Sequence, residues 1–170
     1  MDQGQSPADN AVKRMSMIVT KGTLDWAYPP FILATTAASL GHEVSLFFTF
    51  YGLGLLKKDV SDLKISTLGN PAMEMPMMGM HLQMPNFVSM LPGVDAITSA
   101  MMKNLIKKKG VASIGELREA ALESGVRFIG CQMTLDLFEM KPSDLIDGIE
   151  LAGAATYIDV ASNAQINLFI

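Results

Sequence analysis

A single cysteine, Cys131, stands in 170 residues. That count rules out an internal disulfide framework and a multi-cysteine zinc site, and a lone thiol fits a reducing cytoplasm. Histidine is almost as scarce. His42 and His81 are far apart, and neither has the nearby serine or aspartate arrangement that a hydrolase needs. Positive charge is short too: the formal net charge is −4, so the basic face required for general nucleic-acid binding is missing. The longest charge-free stretch, residues 75–94, is broken by Pro76, Pro85 and Pro92 and carries His81, Gln83, Asn86 and Ser89, which argues against a membrane-spanning helix. Residues 1–14 contain Asp2, Gln3, Gly4 and Gln5 but no apolar core. They read as a flexible tail and not as a signal peptide.

Methionine is what the chain has in excess, at 14 residues, within a composition that is 49% apolar and 18% charged. This is greasy for a soluble monomer, and the length suits one domain with a real core. Strands are expected over 15–20, 43–50 and 64–68, in the run that leads to Cys131, and over 166–170. A helix is expected over 31–40, with Pro29 and Pro30 in its first turn and Gly41 as its stop. Another should run over 95–109, with Ile97, Met101, Met102, Leu105 and Ile106 inward and Lys107 to Lys109 at the negative end of its dipole. The spacing of Ser113 to Glu116 is that of a capping box. From residue 151 the spacing of Ala154, Ala155, Ile158 and Ala161 is that of a last helix. Strands separated by helices predict an α/β layer fold with a mainly parallel sheet of about five strands. One domain would cover 15–170. Residues 71–95, with seven methionines and no clean period, read as an irregular insertion.

Chemistry is expected at one stretch. Val126, Phe128 and Ile129 read as a buried strand, Gly130 follows, and Cys131 then precedes a helix start. In open α/β folds the ligand crevice lies at the C-terminal ends of parallel strands. A thiol there faces a helix N-terminus, whose unpaired N–H groups favour the thiolate. Lys21 and Thr23 after the first strand, and Tyr51 and Gly52 after the second, fall on the same sheet edge, which makes them candidate binding residues. Lys21 would stabilise a thiolate or an anionic adduct. Each has a plainer alternative: Cys131 a small packed hydrophobe, Lys21 a solvated loop cation, and the neighbouring Asp136 a polar helix-start residue.

The segments Thr20-Lys21-Gly22-Thr23-Leu24-Asp25, Phe47-Phe48-Thr49-Phe50-Tyr51-Gly52-Leu53, Gly69-Asn70-Pro71, Glu123-Ser124-Gly125-Val126, Cys131-Gln132-Met133-Thr134-Leu135-Asp136, Asp147-Gly148 and Ala154-Ala155-Thr156-Tyr157 together resemble the DsrE/DsrF/DsrH-like family, in its DsrE2-type branch. The resemblance spans roughly residues 15–170. It implies a flavodoxin-like three-layer α/β fold, usually oligomeric, working in cytoplasmic sulfur trafficking. It further implies that Cys131 accepts sulfane sulfur as a persulfide or thiosulfonate, without a cofactor, in exchange with small carrier proteins of the TusA type and with rhodaneses. Many sulfur-transferring relatives carry a second nearby cysteine, and this chain departs from them.

Two other readings stand beside that one. The chain could be a non-catalytic oligomeric protein that binds a small ligand or a partner, with Cys131 structural. Alternatively, Met77, Met78, Met80 and His81 supply thioethers and an imidazole, a set suited to Cu(I). The plainer reading of that segment is an apolar surface packed against another subunit, with no metal.

Overall fold

The computed structural model describes residues 12–66, 74–77, 80–83 and 93–170. Five strands form one parallel sheet: β1 (Arg14–Val19), β2 (Glu43–Phe48), β5 (Arg127–Cys131), β6 (Ile149–Ala152) and β7 (Ile166–Phe169). Their spatial order is β6-β5-β2-β1-β7. The chain therefore winds outward from β1 through β2 and β5 to β6, and crosses back once to place β7 on the other side of β1. Two further strands, β3 (Glu74–Met77) and β4 (Met80–Gln83), pair antiparallel with each other.

That reversal distributes the helices over both faces, giving a flavodoxin-like three-layer α/β arrangement. Helix α1 (Leu24–Ser39) and helix α3 (Ile114–Glu123) lie on one face, where Met15, Met17, Val19, Val44, Leu46, Phe48 and Phe128 point from alternate strand positions. At the centre of this core Phe31 of α1 meets Phe48 and Phe128 at ring-centroid distances of 6.0 and 5.9 Å. The opposite face carries Phe47, Ile129 and Cys131 beneath Tyr157 of helix α5 (Ala154–Ser162). Between these lie helix α2 (Val94–Lys108), a short helix α4 (Gln132–Leu137), and 3-10 turns at Phe50–Leu56 and Pro142–Asp144.

Several expectations need correction. Helix α1 starts at Leu24, not near residue 31, so Pro29 and Pro30 lie inside it. Burial of Leu24 and Ala27 against the sheet extends the helix upstream despite two missing N–H donors. Lys64, Ile65 and Ser66 form no strand; Thr67 and Leu68 lie outside the described residues. The carbonyl of Lys64 instead accepts from Leu24 N–H at 2.8 Å, and Ile65 N–H donates to Ser99 Oγ at 2.9 Å. The fifth strand is β6, which the sequence pattern did not suggest. Helix α2 buries Thr98 and Ser99 and leaves Ile97 and Met101 exposed. The last helix does form, as α5, with Tyr157 inward and Ala154, Ala155 and Ile158 outside. The capping box forms as expected, with Ser113 N–H donating to Glu116 Oε2 at 2.7 Å and Glu116 N–H to Ser113 Oγ at 3.3 Å.

Residues 51–54, expected as a loop after a strand reaching 50, belong to a 3-10 helix over Phe50–Leu56 with Leu53, Leu55 and Leu56 fully buried. Arg118 of α3 holds its end. The buried guanidinium donates to the carbonyls of Leu55 and Lys57 at 2.9 and 2.6 Å and reaches that of Lys58 at 3.4 Å. Burial lowers its pKa, and the neighbouring Glu119 carboxylate works the other way.

Candidate functional site

Parallel strands bring the ends of β1, β2 and β5 to a single edge. There the loop at residues 20–23, the 3-10 helix and the start of α4 meet. Two glycines allow the approach. A Cβ on Gly52 would sit 2.1 Å from the Val19 carbonyl oxygen, and one on Gly22 would sit 2.2 Å from that of Tyr51. The Gly52 N–H donates to the Thr20 carbonyl at 2.9 Å. Gly52 is thus a buried packing position that locks two loops together.

Cys131 closes β5 and is the N-cap of α4. It is 4% exposed, packed with Phe47, Ile129 and Tyr157. The pairing of Phe48 with Gly130, carried one residue further, sets Thr49 beside Cys131 on the same face of the sheet. Thr134, 1% exposed, comes from the first turn of α4. Its Oγ1 lies 3.1 Å from Thr49 Oγ1 and accepts from Phe50 N–H at 3.1 Å. Burial is the largest single influence on the thiol and opposes ionisation. The Thr134 hydroxyl, the Thr134 N–H, the Thr49 hydroxyl and the Met133 N–H together outweigh it, so the thiol pKa lies below its ordinary value. Among the described residues the Cys131 side chain makes no capping hydrogen bond.

At the same sheet edge lies a cavity of about 710 Å³, lined by Lys21, Gly22, Thr23, Asp25, Trp26, Tyr51 and Ser66. Lys21 Nζ sits 3.0 Å from the Trp26 ring centroid, a cation–π contact that fixes the cation at the rim. Thr23 Oγ1 is buried and has no hydrogen-bond partner among the described residues, although Thr23 is the N-cap of α1. Tyr51 is 72% exposed and stacks on Phe138 at 5.7 Å. Of the residues singled out from sequence, Lys21, Thr23 and Tyr51 share the cavity. Cys131 is not among its described walls, and Gly52 serves packing. Asp136 is exposed and accepts from Gln132 Nε2 at 2.8 Å.

Sequence reasoning passed over Thr49, Thr134, Trp26 and Phe138. The signal for Thr134 was its place three residues after Cys131: once Cys131 is the N-cap, that residue's side chain turns back on the thiol. Met77, Met80 and His81 belong to the β3–β4 pair, and Met78 lies outside the described residues. Among the described residues no group of three or more His, Cys, Asp or Glu side chains is arranged to hold a metal. No helix among them is long and apolar enough to cross a membrane.

The DsrE/DsrF/DrsH-like family matches residues 11–169. A protein named Sulfur carrier protein DsrE2, from Allochromatium vinosum, is 55% identical over 158 residues, covering 93% of this chain and 98% of that one. The uncharacterized protein YrkE of Bacillus subtilis is 35% identical over 162 residues, covering 93% and 97%. A solved structure of a protein of unknown function, MTH1491 from Methanobacterium thermoautotrophicum, aligns with a TM-score of 0.47 at 12% identity, over 93% of this chain and 99% of the other.

Proposed function

The chain belongs to the DsrE/DsrF/DrsH-like family, and from that premise we propose that it is a cytoplasmic sulfur-trafficking protein that carries sulfane sulfur on Cys131. The observation that carries this reading is the thiol itself, placed at the C-terminal edge of a parallel sheet, its pKa held below the ordinary value by hydroxyl and N–H dipoles. The 55% identity to a protein named as a sulfur carrier supports it.

The chemistry is a thiol–disulfide type exchange. The Cys131 thiolate attacks the outer sulfur of a persulfide donor, R–S–SH. A new S–S bond forms, the donor's S–S bond breaks, and its electron pair leaves with R–S⁻. Cys131 then bears the sulfur as Cys–S–SH, with no net oxidation or reduction. A thiolate of an acceptor removes that sulfur by the same step in reverse. Such exchange is fastest when the attacking thiol has a pKa near ambient pH. With one cysteine in the sequence, no second thiol of the same chain competes for the adduct. This suits a carrier that waits for an external acceptor, here a small protein of the TusA type or a rhodanese.

Lys21, Thr23 and Tyr51, in the cavity at the same sheet edge, would hold the anionic end of the donor or the acceptor's approaching segment. Gly52 is proposed to act through shape alone. Self-association is part of the reading, because the outer stripe of α5 and the Phe169 side chain, 73% exposed, are apolar and open.

One observation favours the structural alternative: Cys131 is almost fully buried. Intact-protein mass spectrometry after incubation with polysulfide separates the two. Additions of sulfur on the wild type that vanish in Cys131→Ser are the expected result. A native thiol that stays unmodified, yet reacts once the protein is unfolded, would overturn the carrier reading.

A further inference from the structure

We propose that the cavity at the N-terminus of α1 binds the oxyanion head of a small organic persulfide, whose chain reaches along the sheet edge to Cys131. The donor class is R–S–SH in which R ends in a carboxylate or similar oxyanion about 10 Å from the sulfur, two strand spacings away. This deepens the carrier reading of Cys131 and rests on it.

The head site is built from groups left without partners. Helix α1 begins at Leu24, whose N–H donates to the Lys64 carbonyl at 2.8 Å. The next two N–H groups, of Asp25 and Trp26, have no intrahelical acceptor, and among the described residues no loop carbonyl takes them. Thr23 is the N-cap, where a threonine ordinarily accepts from one of these groups. Its side chain makes no such bond, and its buried Oγ1 has no partner among the described residues. Ser113 does cap α3, so α1 is left open by a residue type able to close it. Rotation about the Thr23 Cα–Cβ bond turns the hydroxyl towards a bound head, to which its O–H donates.

Lys21 supplies the counter-charge. Its ammonium rests on the Trp26 ring, and no carboxylate pairs with it among the described residues. Asp25 is the carboxylate among the described walls of the cavity, and its Oδ1 accepts from Ser66 N–H at 3.4 Å. Its charge opposes an anionic head, and the Lys21 ammonium in the same cavity opposes it in turn.

The sheet sets the length of the donor. Val19 pairs with Phe48, and Phe48 pairs with Gly130, so β1 and β5 end level on either side of β2. Neighbouring strands lie about 4.8 Å apart, which puts the ends of β1 and β5 about 10 Å from each other. The loop into α1 leaves from the first of these ends, and Cys131 follows Gly130 at the second. A short inorganic oxyanion does not bridge that span. Tyr51, from the segment after the intervening β2, and Trp26 give the cavity apolar walls suited to a carbon chain, and its volume of about 710 Å³ is that of a site for an organic ligand. With the head held, the thiolate attacks the outer sulfur, the donor's S–S bond breaks, and R–S⁻ leaves with the electron pair.

The test uses the chain's one tryptophan, Trp26, whose emission reports on the cavity it lines. Full-length Cys131→Ser protein is titrated with methylthio-octanoate, the unreactive thioether of mercaptooctanoate. A saturable change in emission is expected. Affinity should fall roughly tenfold for the matching neutral amide, and again in Lys21→Met, as for losing a hydrogen bond to a charged group. Thr23→Asp, which supplies its own capping carboxylate, should lose binding without a lower unfolding temperature. In wild type, intact-protein mass spectrometry should show the persulfide of mercaptooctanoate loading Cys131 faster than that of mercaptoacetate, and Lys21→Met should erase the difference. Acid and amide that bind alike, or sulfate that binds as tightly as the acid, would overturn the proposal. So would equal loading from the long and short persulfides. Binding as expected in Cys131→Ser, with no sulfur taken up by wild type from either persulfide, refutes the carrier reading and leaves the oxyanion site standing.

Discussion

Cys131 is pulled in two directions at the scale of a single residue. Burial disfavours its anion, and the Thr134, Thr49 and Met133 donors favour it enough to prevail. The consequence for stability follows from linkage. Because the folded pKa lies below the unfolded one, the folded protein gains stability that is complete above the ordinary thiol pKa of the unfolded chain. That gain is lost as pH falls through the folded value. The stability of wild type relative to Cys131→Ser, measured by urea unfolding at a series of pH values, should therefore rise with pH through this window. A difference that stays flat across it would mean that folding does not shift the thiol. Cys131, Lys21, Thr23 and Tyr51 were legible as candidates at this scale because their chemistry is intrinsic to the side chain. Thr49 and Thr134 were not, since a threonine becomes a thiolate donor only when two strand ends and a helix start converge.

At the scale of elements, the site depends on how closely the 3-10 helix at 50–56 approaches the end of β1. Gly52 has backbone carbonyl at 2.1 Å from where a Cβ would be, whereas nothing among the described residues lies within 4 Å of the corresponding point on Gly54. Gly52→Ala should cost about 3 kcal/mol in chemical denaturation, as overpacking against backbone does, and Gly54→Ala should change stability by less than about 0.5 kcal/mol. Equal effects of the two substitutions would show that the loop contact does not constrain the fold. Strand and helix existence was mostly readable from period and caps: β1, β2, β5, β7 and the Ser113 capping box all stand close to where the sequence puts them. Residues 64–66 fail as a strand because their backbone groups are taken by α1 and α2. Four-residue β6 escaped notice because Ile149 to Ala152 is too short to show a period, and its pairing with β5 is a long-range fact.

For the molecule as a whole, the two sheet faces are covered unequally. One carries α1 and α3 over a large core, the other a nine-residue α5 over Phe47, Ile129 and Cys131. The outer side of that helix presents Ile158, 61% exposed, and Phe169 stands on the same face of the sheet. A second copy of the chain is the proposed cover. Ile158→Asp should then reduce the mass seen by sedimentation while leaving thermal unfolding of the dissociated chain nearly unchanged. A wild type that sediments as a monomer, or a variant of unaltered mass, would contradict self-association through this face.

The sequence by itself determined the class of fold, the family resemblance and the one thiol proposed to carry sulfur. Alternation of short apolar runs with helical spacings is a local property, and a lone cysteine cannot be mistaken for another residue. The tertiary structure decided which faces are buried, which strand completes the sheet, and what surrounds the thiol. Those depend on packing between residues far apart in the chain. The apolar stripe of α5 faces outward because Tyr157 fits the space above Phe47, with rings 5.0 Å apart, and Cys131 gains its donors because β2 and β5 end side by side.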